Sequence, residues 1–219
     1  MNNKILKILV SCEESQVVTK AFRELGHEAY SNDIIPTSGN NPEWHLKMDC
    51  FEAIKLKEWD LLIAHPTCTY LTVTANKWLK DQPERKSGAL VGEKRRKAQQ
   101  EAIDFFMRLY NSDIKHIAIE NPIGVMSTKF RKPDQIIQPF QFGDPERKST
   151  CLWLKNLPLL VPTNMVEPIL YTYKDGRTDG LWHVKTMKLS MEERSKERSK
   201  TFPGIAKALA QQYSEYLLK

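Results

Sequence analysis

No stretch of this chain approaches the roughly 20 consecutive apolar residues that a membrane-spanning helix requires, so no membrane association is expected. The apolar segment within MNNKILKILVSCEES at the start is too short for a secretory signal, and a strand suits it better. The four cysteines, Cys12, Cys50, Cys68 and Cys151, are scattered and include no C-x-x-C pair, which argues against a bound metal. Free thiols in a reducing cytoplasm are therefore expected. There is no internal repeat and no low-complexity tail.

What is present is ordinary globular material. The 219 residues, 41% hydrophobic and 27% charged, suffice for one substantial core and not for two comfortable ones. The expectation is a single domain over 1–219. The net charge of +6 favours a polyanionic partner weakly. Its distribution says more: Lys77, Lys80, Arg85, Lys86, Lys94, Arg95, Arg96 and Lys97 crowd one stretch, and Arg194, Lys196, Arg198 and Lys200 another. A solvated helix face accounts for about half of these residues.

Buried strands are expected where the apolar runs are continuous, at 5–10, 59–65 and 114–122. After the first, Ser11 to Glu14 has capping-box spacing, and Val17, Val18, Ala21, Phe22 and Leu25 follow a helical period that Gly26 would stop. A second strand over 27–34 ends at Asp33, and a short third ends at Asp49-Cys50-Phe51. A strand–helix–strand unit with an acid at its second tip suits a ribose, although a strand-end aspartate is equally a turn residue. The segment 69–92 is polar and long, hence a lid or binding loop. A helix follows over 93–110, two short strands over 139–158 and an amphipathic helix over 201–217.

Two strand tips carry chemistry. Cys68 lies just past the fourth strand in DLLIAHPTCTYLT, where Pro66 ends the ladder, and Glu120-Asn121-Pro122 closes the fifth. Open α/β sheets bind ligands at such carboxyl ends. If the two strands are neighbours, thiol and carboxylate share one crevice. Otherwise Cys68 is a small apolar filler, as most free cysteines are, and Glu120 an exposed loop residue.

The order of these pieces resembles the cytosine-C5 DNA methyltransferases, especially their compact phage and prophage relatives. The unit ILKILVSCEESQVVTKAFRELGHEAYSNDI is similar to the family's first motif and second strand. MDC (48–50) resembles the next acidic strand end, HPTC (65–68) the proline–cysteine motif and IENP (119–122) the Glu-Asn motif. FGDPERKSTCLWL (142–154) resembles the Gln-x-Arg-x-Arg region, and SKTFPGIAKALA the final cofactor motif.

The resemblance implies a three-layer, Rossmann-like class I methyltransferase fold of the α/β class with a mostly parallel central sheet. It implies Cys68 as a nucleophile of depressed pKa, Glu120 holding the pyrimidine, and Asn121 and Lys148 completing the catalytic set. S-adenosylmethionine would lie against Ser11, Glu13, Asp33, Ile34, Asp49, Cys50 and Pro66. Lys77, Lys80, Arg85 and Lys86 of the long loop would meet DNA phosphates.

The chain also departs from the pattern. Its first turn, Ser11-Cys12-Glu13-Glu14-Ser15, has no glycine, Lys148 stands in Glu-x-Lys-x-Thr, and about forty residues precede the final motif where a target-recognition domain is usual. The stretch 157–190 is expected to be a reduced, irregular insertion. Three functions stay open: C5 methylation of cytosine in DNA, C5 modification of a free pyrimidine nucleotide, or non-catalytic binding of nucleic acid or protein.

Overall fold

The continuous apolar runs become adjacent strands of one sheet. In the computed structural model, which describes residues 4–219, strand β1 (Lys7–Ser11) is followed by helix α1 (Val17–Glu24) and strand β2 (Glu28–Asp33). Next come β3 (His45–Lys47), α2 (Cys50–Lys55), β4 (Leu61–Ala64), α3 (Gly92–Tyr110), β5 (Ile117–Pro122) and the short α4 (Met126–Lys129). Then follow β6 (Gln135–Ile137), β7 (Thr150–Lys155), the hairpin β8 (Leu170–Thr172) and β9 (Thr178–Gly180), and helices α5 (Leu181–Met187), α6 (Met191–Ser199) and α7 (Pro203–Leu217).

The main sheet has seven strands in the order β3-β2-β1-β4-β5-β7-β6. The first five pair in parallel, and β7 runs antiparallel to both β5 and β6. Successive side chains of a strand point to opposite faces, so a strand that is apolar at every position needs cover on both. Ile8 and Val10 join a core with Val18 and Phe22 of α1 and Ile205, Leu209 and Tyr213 of α7. Leu9 joins the opposite core, with Ala53 of α2 and Ile103, Phe106 and Leu109 of α3. Each such side chain contributes about 1.5–3 kcal/mol by leaving water. Helices on both faces of a mostly parallel sheet are the expected three-layer α/β architecture.

Several local expectations are corrected. Ser11 is the last residue of β1, not a helix cap; α1 starts later, behind Gln16, and the Glu13 carboxylate accepts from Val18 N at 2.6 Å and Thr19 N at 3.2 Å. A side chain reaching forward over the orphan N–H groups does what the capping box would have done. The third strand ends before Asp49, whose carboxylate accepts from Phe51 N at 2.8 Å and opens α2. The long loop contains a 3-10 helix, Val73–Leu79. The stretch expected to be irregular instead forms the β8–β9 hairpin and α5. Their fold is fastened by Glu146, which accepts from Trp182 N at 3.0 Å.

This topology gathers the functional candidates at one edge. The parallel strands β1, β2, β4 and β5 all end there, and β7, being antiparallel, begins there. The order reverses at β1, which has β2 on one side and β4 on the other, and ligands lie outside the carboxyl ends at such a switch point.

Candidate active site

Strand register brings two motifs into contact. Ala64 of β4 pairs with Ile119 of β5, so the next residues, His65 and Glu120, lie side by side with side chains on one face. His65 Nδ1 and Glu120 Oε2 are 2.9 Å apart, and the two side chains are 8% and 14% exposed. One step on, Asn121 Nδ2 donates to the Pro66 carbonyl at 2.7 Å. The antiparallel β7 places Leu152 opposite Glu120 and Thr150 opposite Pro122. Lys148, two residues before that start, thereby arrives at the same edge.

Cys68 follows as an exposed residue on a braced turn. Its carbonyl accepts from Leu71 N and Thr72 N, both at 3.0 Å. From one side Arg95 of α3 donates to Thr69 O at 3.1 Å and Gln99 to Tyr70 O at 3.0 Å. From the other, Val125 N donates to Leu71 O at 2.7 Å. The loop is held by the helix before β5 and by the segment after it, so thiol and carboxylate are positioned by one framework.

The electrostatics correct one expectation. Partial burial and the Glu120 charge push the Cys68 thiol above its ordinary pKa, and Lys148 offsets this only in part. The expected depression is absent because burial first, and the Glu120 charge second, outweigh the charge of Lys148. Because Cys68 keeps solvent access, this opposes ionisation without preventing it. For Glu120, burial acts to raise the pKa, but the His65 hydrogen bond and the charges of Lys148 and His65 outweigh it and hold the carboxyl below its usual value. Cys151 on β7 is pushed up to about 11 by burial and the Glu120 charge.

Lys148 is less free than its sequence position suggests. Its ammonium donates to Arg198 O at 3.0 Å and Lys200 O at 3.5 Å, and lies 5.9 Å from the Phe202 ring centroid. It therefore pins the strap between α6 and α7 beside Glu120. Glu120, His65, Lys148, Thr201 and Phe202 line a narrow crevice with about 10 Å³ of free interior, room for one water. Cys68 does not line it, although the Glu120 and Lys148 charges both reach the thiol.

The residues expected to hold the methyl donor divide into two groups. Asp33, Asp49 and Cys50 come together at the ends of the first three strands beside Cys12, which the sequence reading did not include: the adjoining Cys50 thiol, burial and the two carboxylates raise the Cys12 thiol well above its usual pKa. Asp33 has one oxygen on Ile35 N at 3.3 Å, Asp49 has one on Phe51 N, and Ile34 stands exposed beside them. Their remaining oxygens suit ribose or adenine donors. Close to them, Ser11 Oγ, Glu14 Oε1 and Asn32 Oδ1 are buried with no hydrogen-bond partner among the described residues. Glu13 belongs to the other group, since its buried carboxylate is engaged by Val18 and Thr19 and burial raises its pKa. Pro66 is buried with its carbonyl on Asn121. The glycine-less turn is achieved by Cys12 at φ +59 and Gln16 at φ +61, left-handed conformations that side chains adopt at some cost.

Lys77, Lys80, Arg85 and Lys86 are all exposed on the long loop. Arg85 stacks on Trp78 at 3.8 Å from the ring centroid, with Lys77 at 4.9 Å from the same ring. The second basic cluster differs: Arg194 and Arg198 donate to the α5 end, at Thr186 O (3.1 Å) and Thr186 Oγ1 (2.9 Å), and join two helices.

His65 is the residue that sequence reading missed. The signal available was its place one residue beyond a strand, in the same position as Glu120 on the neighbouring strand.

No protein-family model matches the chain. No curated protein matches it either. Among solved structures, the chain is similar to a candidate DNA modification methyltransferase encoded within a prophage (E. coli), at 13% identity and a TM-score of 0.45. The alignment covers 75% of this chain and 52% of that one, so this chain spans about half of its length.

Proposed function

We propose that this protein is an S-adenosylmethionine-dependent methyltransferase that modifies C5 of cytosine in DNA. The observation that carries the reading is the joining of the HPTC and IENP motifs across neighbouring strands. Asn121 donates to Pro66 O at 2.7 Å and Glu120 meets His65 at 2.9 Å. A purely structural pair of strand tips has no use for a buried acid, a buried imidazole and an exposed thiol braced together.

C5 of cytosine is a weak nucleophile. Addition of the Cys68 sulfur at C6 forms an S–C6 bond and moves the ring's π electrons toward C5. Glu120 accepts hydrogen bonds from the ring's amine and orients it. Occupation of Glu120 by that donor screens the charge that opposes the thiolate, so the thiol ionises more readily with substrate in place. As C5 takes the methyl group, the methyl–sulfonium bond of the donor breaks and leaves a neutral thioether; loss of the C5 proton to water then expels the Cys68 sulfur and restores the aromatic ring. Lys148 supplies positive charge near both groups. Asp33, Asp49 and the Cys12 turn would hold the methyl donor, which would supply an electrophilic methyl group. A base within a duplex is out of reach, so it must be flipped out, and Lys77, Lys80, Arg85 and Lys86 then contact phosphates.

A free pyrimidine nucleotide as acceptor is the second reading, favoured by the small size of the segment between β7 and α7. One assay separates the two. Labelled methyl donor is offered with duplex DNA, single-stranded DNA and dCMP in parallel, using wild type and Cys68→Ser. Transfer to DNA, abolished in Cys68→Ser, is expected. Transfer to dCMP alone supports the second reading. No transfer to any acceptor, with no donor binding by calorimetry, overturns both.

A further inference from the structure

The His65 side chain is only 8% exposed, yet its buried Nε2 has no partner among the described residues. A buried polar atom left unpaired costs free energy, and in native structures it calls for an explanation beyond packing. The other ring nitrogen faces Glu120 at 2.9 Å. An ionised carboxylate only accepts hydrogen bonds, so the proton between them resides on Nδ1.

We infer that His65 is a positioning residue for Glu120: its Nδ1–H fixes one carboxylate oxygen and leaves the other to accept from the exocyclic amine of a pyrimidine. The inference rests on the pyrimidine-modifying reading above and deepens it. Three features of the site support it. Register alone puts the two side chains on one face of adjacent strands. The Asn121–Pro66 bond locks the next residues of both strands, so neither partner can swing away. Both line the narrow crevice under Phe202.

The groups facing Glu120 are His65 from the end of β4, Cys68 from the following loop, Lys148 from the segment before β7, and Cys151 on β7. His65 and Lys148 favour the anion, and the two thiols are neutral at physiological pH. Removing His65 therefore raises the Glu120 pKa. If Glu120 works as an acceptor, activity is lost as pH falls through that value, so the acid limb of the rate profile moves to higher pH.

The test compares wild type with His65→Ala, which removes the donor, and His65→Asn, whose amide can replace Nδ1–H. Glu120 titration is followed by carboxyl ¹³C NMR, assigned with Glu120→Gln. It is expected to move to higher pH in His65→Ala and to return partway in His65→Asn. Methyl transfer to a short duplex and to dCMP is followed against pH. For His65→Ala, kcat is expected to fall about 10- to 100-fold, the equivalent of one charge-assisted hydrogen bond. KM should change little, the acid limb should move upward, and His65→Asn should recover most of the rate.

An unchanged Glu120 titration overturns the inference, as does a slower enzyme whose acid limb stays in place. A shifted titration in a protein whose wild type transfers no methyl group leaves the pairing standing and sinks the methyltransferase reading instead. Should His65→Ala fail to fold, His65→Gln keeps the bulk while displacing the donor, and the same shift is required of it.

Discussion

Gly124 lies directly against the carbonyl of Leu71, so close that a Cβ on residue 124 would collide with that oxygen. The two residues belong to the loops that follow the fifth and fourth strands, and the Val125 N–Leu71 O bond runs beside them. Gly124→Ala must push these loops apart. The expected cost is about 1–3 kcal/mol of overpacking, read from urea unfolding, together with faster alkylation of Cys68 as its turn loosens.

The Cys68 thiol should titrate above an ordinary cysteine, with its two charged neighbours acting in opposite directions. Iodoacetamide alkylation followed against pH, with Cys68→Ser as the blank, measures it. Glu120→Gln should lower the apparent pKa and Lys148→Met should raise it. Shifts of the same sign in both variants would contradict this electrostatic account.

Asn121→Ala removes the donor to the Pro66 carbonyl. Residue 121 is buried, so the carbonyl loses its partner without gaining water. A loss of about 1–3 kcal/mol is expected, with methyl transfer falling further than stability, because the turn that carries Cys68 begins at Pro66. Denaturant melts and single-turnover rates on the same preparation separate these effects.

Asp134 gives the fold an acid-sensitive tie. Burial acts to raise its pKa, but the Arg131 hydrogen bond at 2.7 Å and the Leu154 N–H outweigh it and depress the pKa. A depressed carboxylate stabilises the native state above its unfolded pKa of about 3.9, and that contribution vanishes as pH falls through the native value. Asp134→Asn should therefore flatten the acid side of the stability–pH curve. Urea midpoints between about pH 7 and pH 3 would show this.

Cys12→Gly should be tolerated. Its left-handed backbone costs a side-chain-bearing residue about 1–2 kcal/mol, and glycine returns part of that through greater freedom when unfolded. Stability is expected to rise by up to about 1 kcal/mol, measured by denaturation, with binding of the methyl donor retained in calorimetry.

Much of the scaffold was legible because fully apolar runs such as ILKILV and LLIA leave a strand no solvated face. The Glu-Asn and Pro-Thr-Cys tips were legible as a pair once their strands were taken as neighbours. The direction of β7 was not, since no local pattern distinguishes a parallel from an antiparallel central strand, and Lys148 reaches the site through that direction. The engagement of Glu13 was not legible because it depends on a helix whose cap, Gln16, stands five residues beyond the Ser11 that the spacing implied. The raised thiol pKa was hidden as well: it depends on distance to Glu120, 52 positions away in the chain.

The Lys148 latch has a consequence for how this protein takes up its target. Anything as broad as a six-membered ring that comes to rest against Glu120 must first part the ammonium from the carbonyls of Arg198 and Lys200 and lift Phe202. Uptake and unlatching are then one event. On the proposed reading, the pace of loading follows how readily the segment between α6 and α7 lifts, and the released ammonium is then free to face the ring beside Glu120.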